Sequence, residues 1–324
     1  MKTLLESLGS IARPSGDGLV LRPRSEKELA SALMVLRDRQ IAFGEGVTLD
    51  RSGFDRLGRL DDRSMTIEAG AGVSVRELEA RVNQQKLTLG ALPPAAWDAT
   101  VGSLVEDSAL GFRVIIPGRL EPLAVRVTGV LPDGAVVTSS PGPRHAVGPD
   151  LASLLIGGGG VLGLVTNATM RLMPLPQDEQ RRLYSFASHA DALESLRESL
   201  SAGASFARVV VRGRAGRTIV EVTVRGSAAQ LERELALISR CAEATSGRFE
   251  GQGREAEVDG VAHEATWSDV ASALGQGASV ELFRVSLSTV VARGVGVRSF
   301  LPPSPLMRSL KDVFDRARVL GRLP

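Results

Sequence analysis

The proline-containing segment RLMPLPQDEQRR, residues 171–182, constrains the fold most, because the order of helices and strands changes there. Pro174 and Pro176 interrupt regular structure and mark a boundary between two parts of the chain. Before them, residues 19–175 alternate short strands with helices. After them the pattern reads strand, helix, strand, strand, helix, which predicts a ferredoxin-like layer with helices on one side of an antiparallel sheet. The sequence therefore predicts an α+β protein in two parts.

Two capping boxes predict where helices begin in the first part. Ser25 and Glu28, and again Ser74 and Glu77, have capping-box spacing ahead of apolar residues at helical intervals. Between these helices the apolar residues 41–43 predict a short strand that runs into a glycine-containing segment.

Two turns are predicted further along the chain. Pro-Asp-Gly at 132–134 lies between apolar stretches and predicts a hairpin. The segment GGGGVLG, residues 157–163, follows a short predicted helix and precedes a strand at 164–172. This position predicts a tight, close-packed turn and not a flexible linker.

Composition argues against several classes of protein. The 324 residues are 43% hydrophobic and 23% charged, as in a globular chain with a substantial core. The net charge is only +2 and aromatic residues make up 4%, so we expect no nucleic-acid binding. No apolar run approaches the ~20 residues of a membrane span. The N-terminal MKTLLESLGSIARPSG lacks the apolar run and cleavage site of a signal peptide, so we expect a cytoplasmic location.

Cysteine and histidine give no metal site. The single cysteine, Cys241, excludes an intramolecular disulfide and a thiolate cage, and it lies in an apolar-periodic run that predicts a buried thiol. The three histidines, His145, His189 and His263, have no partners at metal-ligand spacing. We therefore expect no metal.

The segment IAFGEGVTLD, residues 41–50, raises the question of a phosphate-binding loop. Glycine at 44 and 46 would let the backbone approach a phosphate closely and adopt positive φ. Glu45 places a negative charge between these glycines. The residues alone leave open a phosphate cradle, a damaged cradle or an ordinary turn.

A set of ordered segments resembles a known family. The strongest is RHAVGPDLASLLIGGGGVLGLVTNATMRLMPLP, residues 144–176. The others are LRPRSEKELASAL, IEAGAGVSVRELEARV, LTLGALPP, DATVGSLV, TWSDVASALGQGASVELFRVSLS and LKDVFDRARVLGRLP. Together they resemble the FAD-binding subunit of glycolate oxidase, one of the FAD-linked oxidases of the vanillyl-alcohol oxidase / p-cresol methylhydroxylase superfamily. The likeness covers nearly the whole chain.

The resemblance implies a fold and its division into domains. Residues 1–176 would form an FAD-binding domain of two α+β subdomains. Residues 177–300 would form a smaller ferredoxin-like cap, or substrate domain. Residues 301–324 would form a C-terminal helix and tail that return to the FAD-binding domain.

The resemblance also implies a non-covalently bound FAD whose diphosphate lies between two glycine-rich loops. Covalent attachment through histidine is not expected, because the first loop contains none. His145 is either a polar contact on the flavin side or a surface histidine. The residues implied in cofactor binding are Gly44, Glu45, Gly46, Val47, Thr48, Pro93, Thr100, Val101, Gly102, Ser103, Arg144, His145, Gly148, Gly157, Gly160, Gly163 and Val165.

The sequence departs from the family at both loops and at its end. Glu45 interrupts the first loop, and Glu106, Asp107 and Ser108 follow the second loop where small neutral residues are usual. A carboxylate ~5 Å from a phosphate costs on the order of 3 kcal/mol, or roughly two decades in dissociation constant, unless it points into solvent. The cap and the C-terminal signature are also shortened.

Two functions therefore stay open at the level of sequence. The first is an FAD-linked oxidoreductase subunit that oxidises a 2-hydroxy acid or similar small substrate by hydride transfer to flavin, with no catalytic residue assigned. The second is a degenerate, flavin-free relative that serves as a scaffold or binds a partner. Either implies other protein subunits or a homo-oligomer.

Overall fold

A computed structural model describes residues 2–43, 46–92, 94–107, 112–116, 119–139, 154–214, 216–253, 263–285, 289–294 and 305–320. Helices and sheets are both present, and the predicted α+β class is confirmed.

Residues up to 174 form several small sheets with helices around them. The helices and strands of this part are α1 (Lys2–Leu8), β1 (Ala12–Ser15), β2 (Gly18–Leu21), α2 (Glu26–Asp38), β3 (Val47–Leu49), β4 (Leu57–Asp61), β5 (Thr66–Gly70), α3 (Val75–Asn83), β6 (Leu87–Thr88), α4 (Pro94–Trp97), α5 (Val101–Glu106), β7 (Phe112–Ile116), β8 (Arg119–Pro122), β9 (Ala124–Val130), β10 (Val136–Thr138), β11 (Leu164–Arg171) and β12 (Met173–Pro174).

Two sheets carry most of this part. Among the described residues, one has the strand order β1-β2-β3 and the other β10-β9-β11-β5-β4. β2 and β3 are parallel, and the pairs of the larger sheet are antiparallel. The hairpin predicted at 132–134 is confirmed, since it joins the antiparallel strands β9 and β10.

The two predicted capping boxes differ in outcome. Ser25 caps α2, and its side chain accepts a hydrogen bond from the Glu28 N–H at 3.2 Å, but the Glu28 side chain accepts from the Arg24 N–H and not from Ser25, so half of this box forms. Ser74 precedes α3 but makes no side-chain cap bond; instead it forms an isolated β-bridge with Thr100. The Ser74 box is therefore wrong as a hydrogen-bonding motif, although the helix begins where it was predicted.

The strand predicted at residues 41–43 is wrong. These residues form a turn after α2, in which the Ile41 N–H donates to Leu36 and the Phe43 N–H to Val319. The strand begins later, at Val47, because parallel pairing with β2 requires the chain first to cross back from the end of α2.

Residues from 178 onward form a second sheet covered by helices. The elements are β13 (Asp178–Phe186), α6 (His189–Ser201), β14 (Arg208–Arg214), β15 (Arg217–Gly226), α7 (Ala228–Ala244), β16 (Arg248–Gln252), β17 (His263–Thr266), α8 (Trp267–Gly275), β18 (Ser279–Val285), β19 (Thr289–Gly294) and α9 (Pro305–Phe314).

The predicted ferredoxin-like layer is part of a larger sheet. In the described part of the chain its strand order is β16-β13-β15-β14-β18-β19-β17. The first four strands have the ferredoxin-like order, and the last three extend the sheet. Apolar side chains of β14 and β15 pack against α6, α7 and α8, so these helices cover one face.

Two separate apolar cores match this division. One joins buried residues between 4 and 172 with Val319 and Leu320, and the other joins residues between 184 and 282. The C-terminal residues thus return to the first core. The domain limits 1–176, 177–300 and 301–324 stay a prediction.

Candidate cofactor site

Several of the predicted site residues lie outside the described residues. They are Gly44, Glu45, Pro93, Arg144, His145 and Gly148.

Gly46, Val47 and Thr48 lie at the edge of the small mixed sheet β1-β2-β3. The Leu19 N–H donates to the Gly46 carbonyl oxygen at 2.7 Å, and β3 continues the pairing with β2. Val47 is buried in the first core, whereas Thr48 is exposed. The described end of the predicted first loop therefore leads into strand β3, which pairs with β2.

The predicted second loop, residues 100–103, forms the N-terminal turn of α5. Thr100 and Ser103 form a capping box, in which each backbone N–H donates to the side-chain oxygen of the other at 3.1 and 3.4 Å. The Val101 and Gly102 N–H groups donate to the carbonyl oxygens of residues 73 and 71 at 2.8 and 2.9 Å. All backbone donors of residues 100–103 are thus bonded within the chain.

The glycine-rich turn at 157–163 packs against the opposite end of α5. The Gly157 N–H donates to the Val105 carbonyl oxygen at 2.9 Å, and the Gly159 N–H to that of Glu106 at 2.7 Å. Gly157, Gly159 and Gly160 all have φ between +63° and +71°, which strongly favours glycine. The predicted tight turn is confirmed, and α5 holds it next to the predicted second loop.

Glu106 is the polar centre of this arrangement. Its side chain is buried, its Oε2 lies 2.6 Å from Arg51 Nη2, and its Oε1 accepts a hydrogen bond from the Val165 N–H at 2.7 Å. Gly160 approaches so closely that a Cβ there would lie 3.2 Å from Oε2. Burial raises the pKa of Glu106, and the Arg51 charge and the two hydrogen bonds oppose that rise.

Arg51 lies against the predicted second loop. A Cβ on Gly102 would lie 2.4 Å from Arg51 Nη1, so only glycine leaves room for the guanidinium here. Among the described residues this buried Nη1 has no hydrogen-bond partner. Sequence reasoning missed Arg51. The available signal was a glutamate in an apolar helix, because a buried carboxylate needs a cation.

The C-terminal helix fixes the glycine-rich turn from outside. Lys311 Nζ donates to the Val161 carbonyl oxygen at 2.7 Å and to Asp315 Oδ2 at 2.5 Å. Asp315 also accepts hydrogen bonds from the Val319 and Leu320 N–H groups. Both ionic side chains are buried, so α9 is anchored by a fully bonded ion pair.

Three other expectations concern a metal site, a membrane span and Cys241. Within the described ranges, no three His, Cys, Asp or Glu side chains are placed to hold a metal ion. No described helix is long and apolar enough to cross a membrane. Cys241 is half-buried, so the expectation of a fully buried thiol is wrong; it lies at the margin of the apolar face of α7.

Residues 100–103 and Val165 offer no unbonded backbone donor to the FAD diphosphate in this arrangement. The backbone donors of residues 100–103 are bonded to the chain, and the Val165 N–H is bonded to Glu106. Gly102 and Gly160 have no Cβ, which leaves space beside their backbone. The Arg51 and Glu106 side chains occupy that space.

The first part of the chain is similar to a known cofactor domain. Residues 41–140 match the family described as FAD binding domain. A segment of 152 residues is 27% identical to an alkyldihydroxyacetonephosphate synthase from Caenorhabditis elegans, and covers 47% of this chain and 26% of that protein. A segment of 126 residues is 31% identical to an uncharacterised FAD-linked oxidoreductase from Escherichia coli, and covers 39% and 26%.

A third relative is a mitochondrial D-lactate dehydrogenase (cytochrome) from Saccharomyces cerevisiae, 25% identical over 194 residues that cover 54% of this chain and 33% of the relative. The matched segments therefore span only about a quarter to a third of these relatives.

Solved structures show the same fold at low sequence identity. An alkyldihydroxyacetonephosphate synthase superposes with a TM-score of 0.71 at 14% identity, over 94% of this chain and 77% of that one. A substrate-bound p-cresol methylhydroxylase superposes with a TM-score of 0.61 at 13% identity, over 98% and 82%. The chain therefore has the fold of these solved structures, its residues 41–140 are similar to an FAD binding domain, and FAD is the cofactor that the family match supports.

Proposed function

We propose that this chain is a subunit of an FAD-linked oxidoreductase that oxidises a 2-hydroxy acid or a similar small substrate, as the FAD-binding subunit of glycolate oxidase does. Bound flavin would supply the hydride-accepting chemistry, and the protein would supply binding and orientation. The family match at residues 41–140 supports the cofactor, and the D-lactate dehydrogenase relative supports a 2-hydroxy acid as substrate class.

The observation that carries this proposal is the placement of α5 between the predicted loops. Residues 100–103 lie at its N-terminal end, and the turn at 157–163 packs on its C-terminal end. Sequence segments that are more than fifty residues apart thus meet at one short helix. We propose that the cofactor-binding residues implied by the resemblance act around this helix.

The polar face of the second sheet is the proposed substrate side. Val209, Val211 and Leu282 face the helices, so the alternating Arg208 and Glu281 lie on the other face. Arg208 forms an ion pair with the fully buried Glu281. On the same face, Arg212 has a buried Nη2 without a hydrogen-bond partner among the described residues. A buried guanidinium suits a substrate carboxylate.

A specific observation favours a second candidate, a flavin-free scaffold or partner-binding subunit. The N–H groups of residues 100–103 and of Val165, which the resemblance places at the diphosphate, are bonded within the chain, and a carboxylate is buried beside them. A chain without flavin would retain this arrangement permanently, because the ion pair and hydrogen bonds stabilise the fold without a ligand.

The absorption spectrum of the purified protein separates the two candidates. For the oxidoreductase we expect oxidised flavin near one equivalent per chain, either as purified or after incubation with FAD and gel filtration. The flavin should be bleached by D-lactate, glycolate or a related 2-hydroxy acid. A folded protein that retains no flavin after incubation would instead support the scaffold, and a flavin that none of these acids reduces would contradict the substrate class.

A further inference from the structure

Glu106 joins three segments that are distant in sequence. Its carboxylate binds Arg51 from the turn after β3, and the Val165 N–H at the start of β11. Its backbone carbonyl accepts the Gly159 N–H from the glycine-rich turn. The Glu106 side chain is thus bonded to polar groups at the predicted cofactor site.

The pairing leaves Arg51 incompletely bonded. Nη2 binds Glu106, but Nη1 is buried and has no hydrogen-bond partner among the described residues. Nη1 lies against Gly102, at the predicted second loop. A buried guanidinium donor without an acceptor is costly, so this position favours an additional anionic or polar group beside the loop.

Carboxylate and phosphate are alternative partners for the same guanidinium. Arginine binds both with its planar fork of N–H donors, often through two parallel bonds. A phosphate at the second loop would meet Arg51 at Nη1, next to the Nη2 that Glu106 binds, so both anions would neutralise the same guanidinium. The negative charges of Glu106 and of the phosphate would also repel each other in a region that is shielded from water.

We propose that Glu106 is an internal competitor of the FAD diphosphate for Arg51, and that it sets how tightly this chain binds FAD. This inference rests on the proposed function, because it requires the cofactor to lie at the second loop. Arg51 then becomes a cofactor-binding residue, and Glu106 a residue that acts on FAD through Arg51 and through the Val165 N–H.

The test is an FAD titration of Glu106→Gln beside the wild type. Glutamine has nearly the same shape and still offers Oε1 to the Val165 N–H, but it carries no charge. Arg51 would then be a buried cation that only the diphosphate neutralises. We expect a dissociation constant lower by on the order of ten- to hundred-fold, from quenching of flavin fluorescence and from calorimetry.

Glu77→Gln is the matched control, because Glu77 is an exposed carboxylate on α3 in the same part of the chain. We expect FAD affinity in this variant to equal that of the wild type. Equal or weaker binding by Glu106→Gln, relative to the wild type, would overturn the inference. Weaker binding would mean that Glu106 holds Arg51 in place for the cofactor.

A second variant and a wild-type measurement cover the case in which Glu106→Gln does not fold. Glu106→Thr also removes the charge, and we expect it to tighten FAD binding as well. In the wild type, saturating FAD should change the hydrogen exchange of the segments around 106 and 157–166, because a phosphate on Arg51 would weaken the bonds that Glu106 makes to Arg51 and to the Val165 N–H. Unchanged exchange in FAD-saturated protein would overturn the inference.

The outcomes distinguish this inference from the proposed function. Wild type and both neutral variants that fold but never bind FAD would contradict FAD binding by the chain itself. Wild type that binds FAD as tightly as the neutral variants would leave the proposed function standing and remove only the role of Glu106.

Discussion

At the scale of single residues, Glu179 makes the stability of the second part of the chain depend on pH. Its carboxylate accepts hydrogen bonds from Arg181 at 2.6 Å and from Arg225 at 2.5 Å. Burial alone would raise the pKa of Glu179, but the hydrogen bonds and charges of Arg225 and Arg181 outweigh it and lower the pKa. A lowered pKa means that folding favours the ionised form, so its stabilisation is present above the ordinary value near 4.5 and is lost as pH falls through the lower folded pKa.

We therefore expect Glu179→Gln to reduce the free energy of unfolding at pH 7 by about 1 kcal/mol, a value that solvent screening of this partly exposed cluster keeps small. The difference from the wild type should shrink at pH values below 4.5. Urea unfolding at several pH values measures it. Glu194→Gln is the control, because that carboxylate is 55% exposed and 3.8 Å from Arg197. A loss that persists undiminished in acid would show that shape, and not charge, is responsible.

Arg51 and Glu106 show which site residues a sequence can predict. The unusual position of Glu106 was visible in the sequence, because a carboxylate follows the predicted second loop. Its partner was not, because Arg51 lies 55 residues earlier and only tertiary packing brings the two together. The glycines were predictable for the opposite reason, since the turn at 157–163 needs positive φ whatever lies around it.

At the scale of elements, α9 depends on the buried pair Lys311 and Asp315. We expect Lys311→Met to lower the free energy of unfolding by about 3 kcal/mol, because the Asp315 carboxylate would stay buried without a cation and Val161 would lose its donor. Urea unfolding followed by circular dichroism measures this loss.

Arg308→Met is the matched control, because it removes an exposed cation from the same helix and leaves the buried pair intact. We expect its midpoint to stay close to that of the wild type. Equal midpoints for both variants would mean that the ion pair contributes no net stability and that apolar packing alone holds α9.

The starts of α2 and β3 show the limit of local patterns. The Ser25 cap was predictable because all of its atoms lie within one turn. The strand at Val47 was not, because its position follows from parallel pairing with β2, which lies across α2 in the chain. Apolar residues 41–43 look like a strand locally, but they close the turn between α2 and the C-terminal residues.

At the scale of the whole molecule, the division into two cores was predictable and the size of the second sheet was not. The β-α-β-β-α pattern after Pro176 specifies three of the four ferredoxin-like strands, β13, β14 and β15, since neighbouring elements in sequence tend to be neighbours in space. The extension through β18, β19 and β17 depends on pairing between β14 and β18, which are separated by two helices and several strands. Nothing in the local sequence of β18 specifies that partner.

The last prediction is that this chain acts with a second polypeptide or a second copy of itself. The edge strand β16 presents Phe249 with 57% of its surface exposed, and the edge strand β10 presents Val136 with 51% exposed. Sheet edges with exposed apolar side chains suit pairing with another chain. Cys241, the single cysteine, cannot ligate an iron–sulfur cluster by itself, so an electron acceptor of that kind would lie outside these 324 residues. We expect a mass in solution above the 34.2 kDa of one chain, or a co-purifying protein from the native host, by light scattering and affinity purification. A monomer that purifies alone and turns over a 2-hydroxy acid with a soluble dye would contradict this expectation.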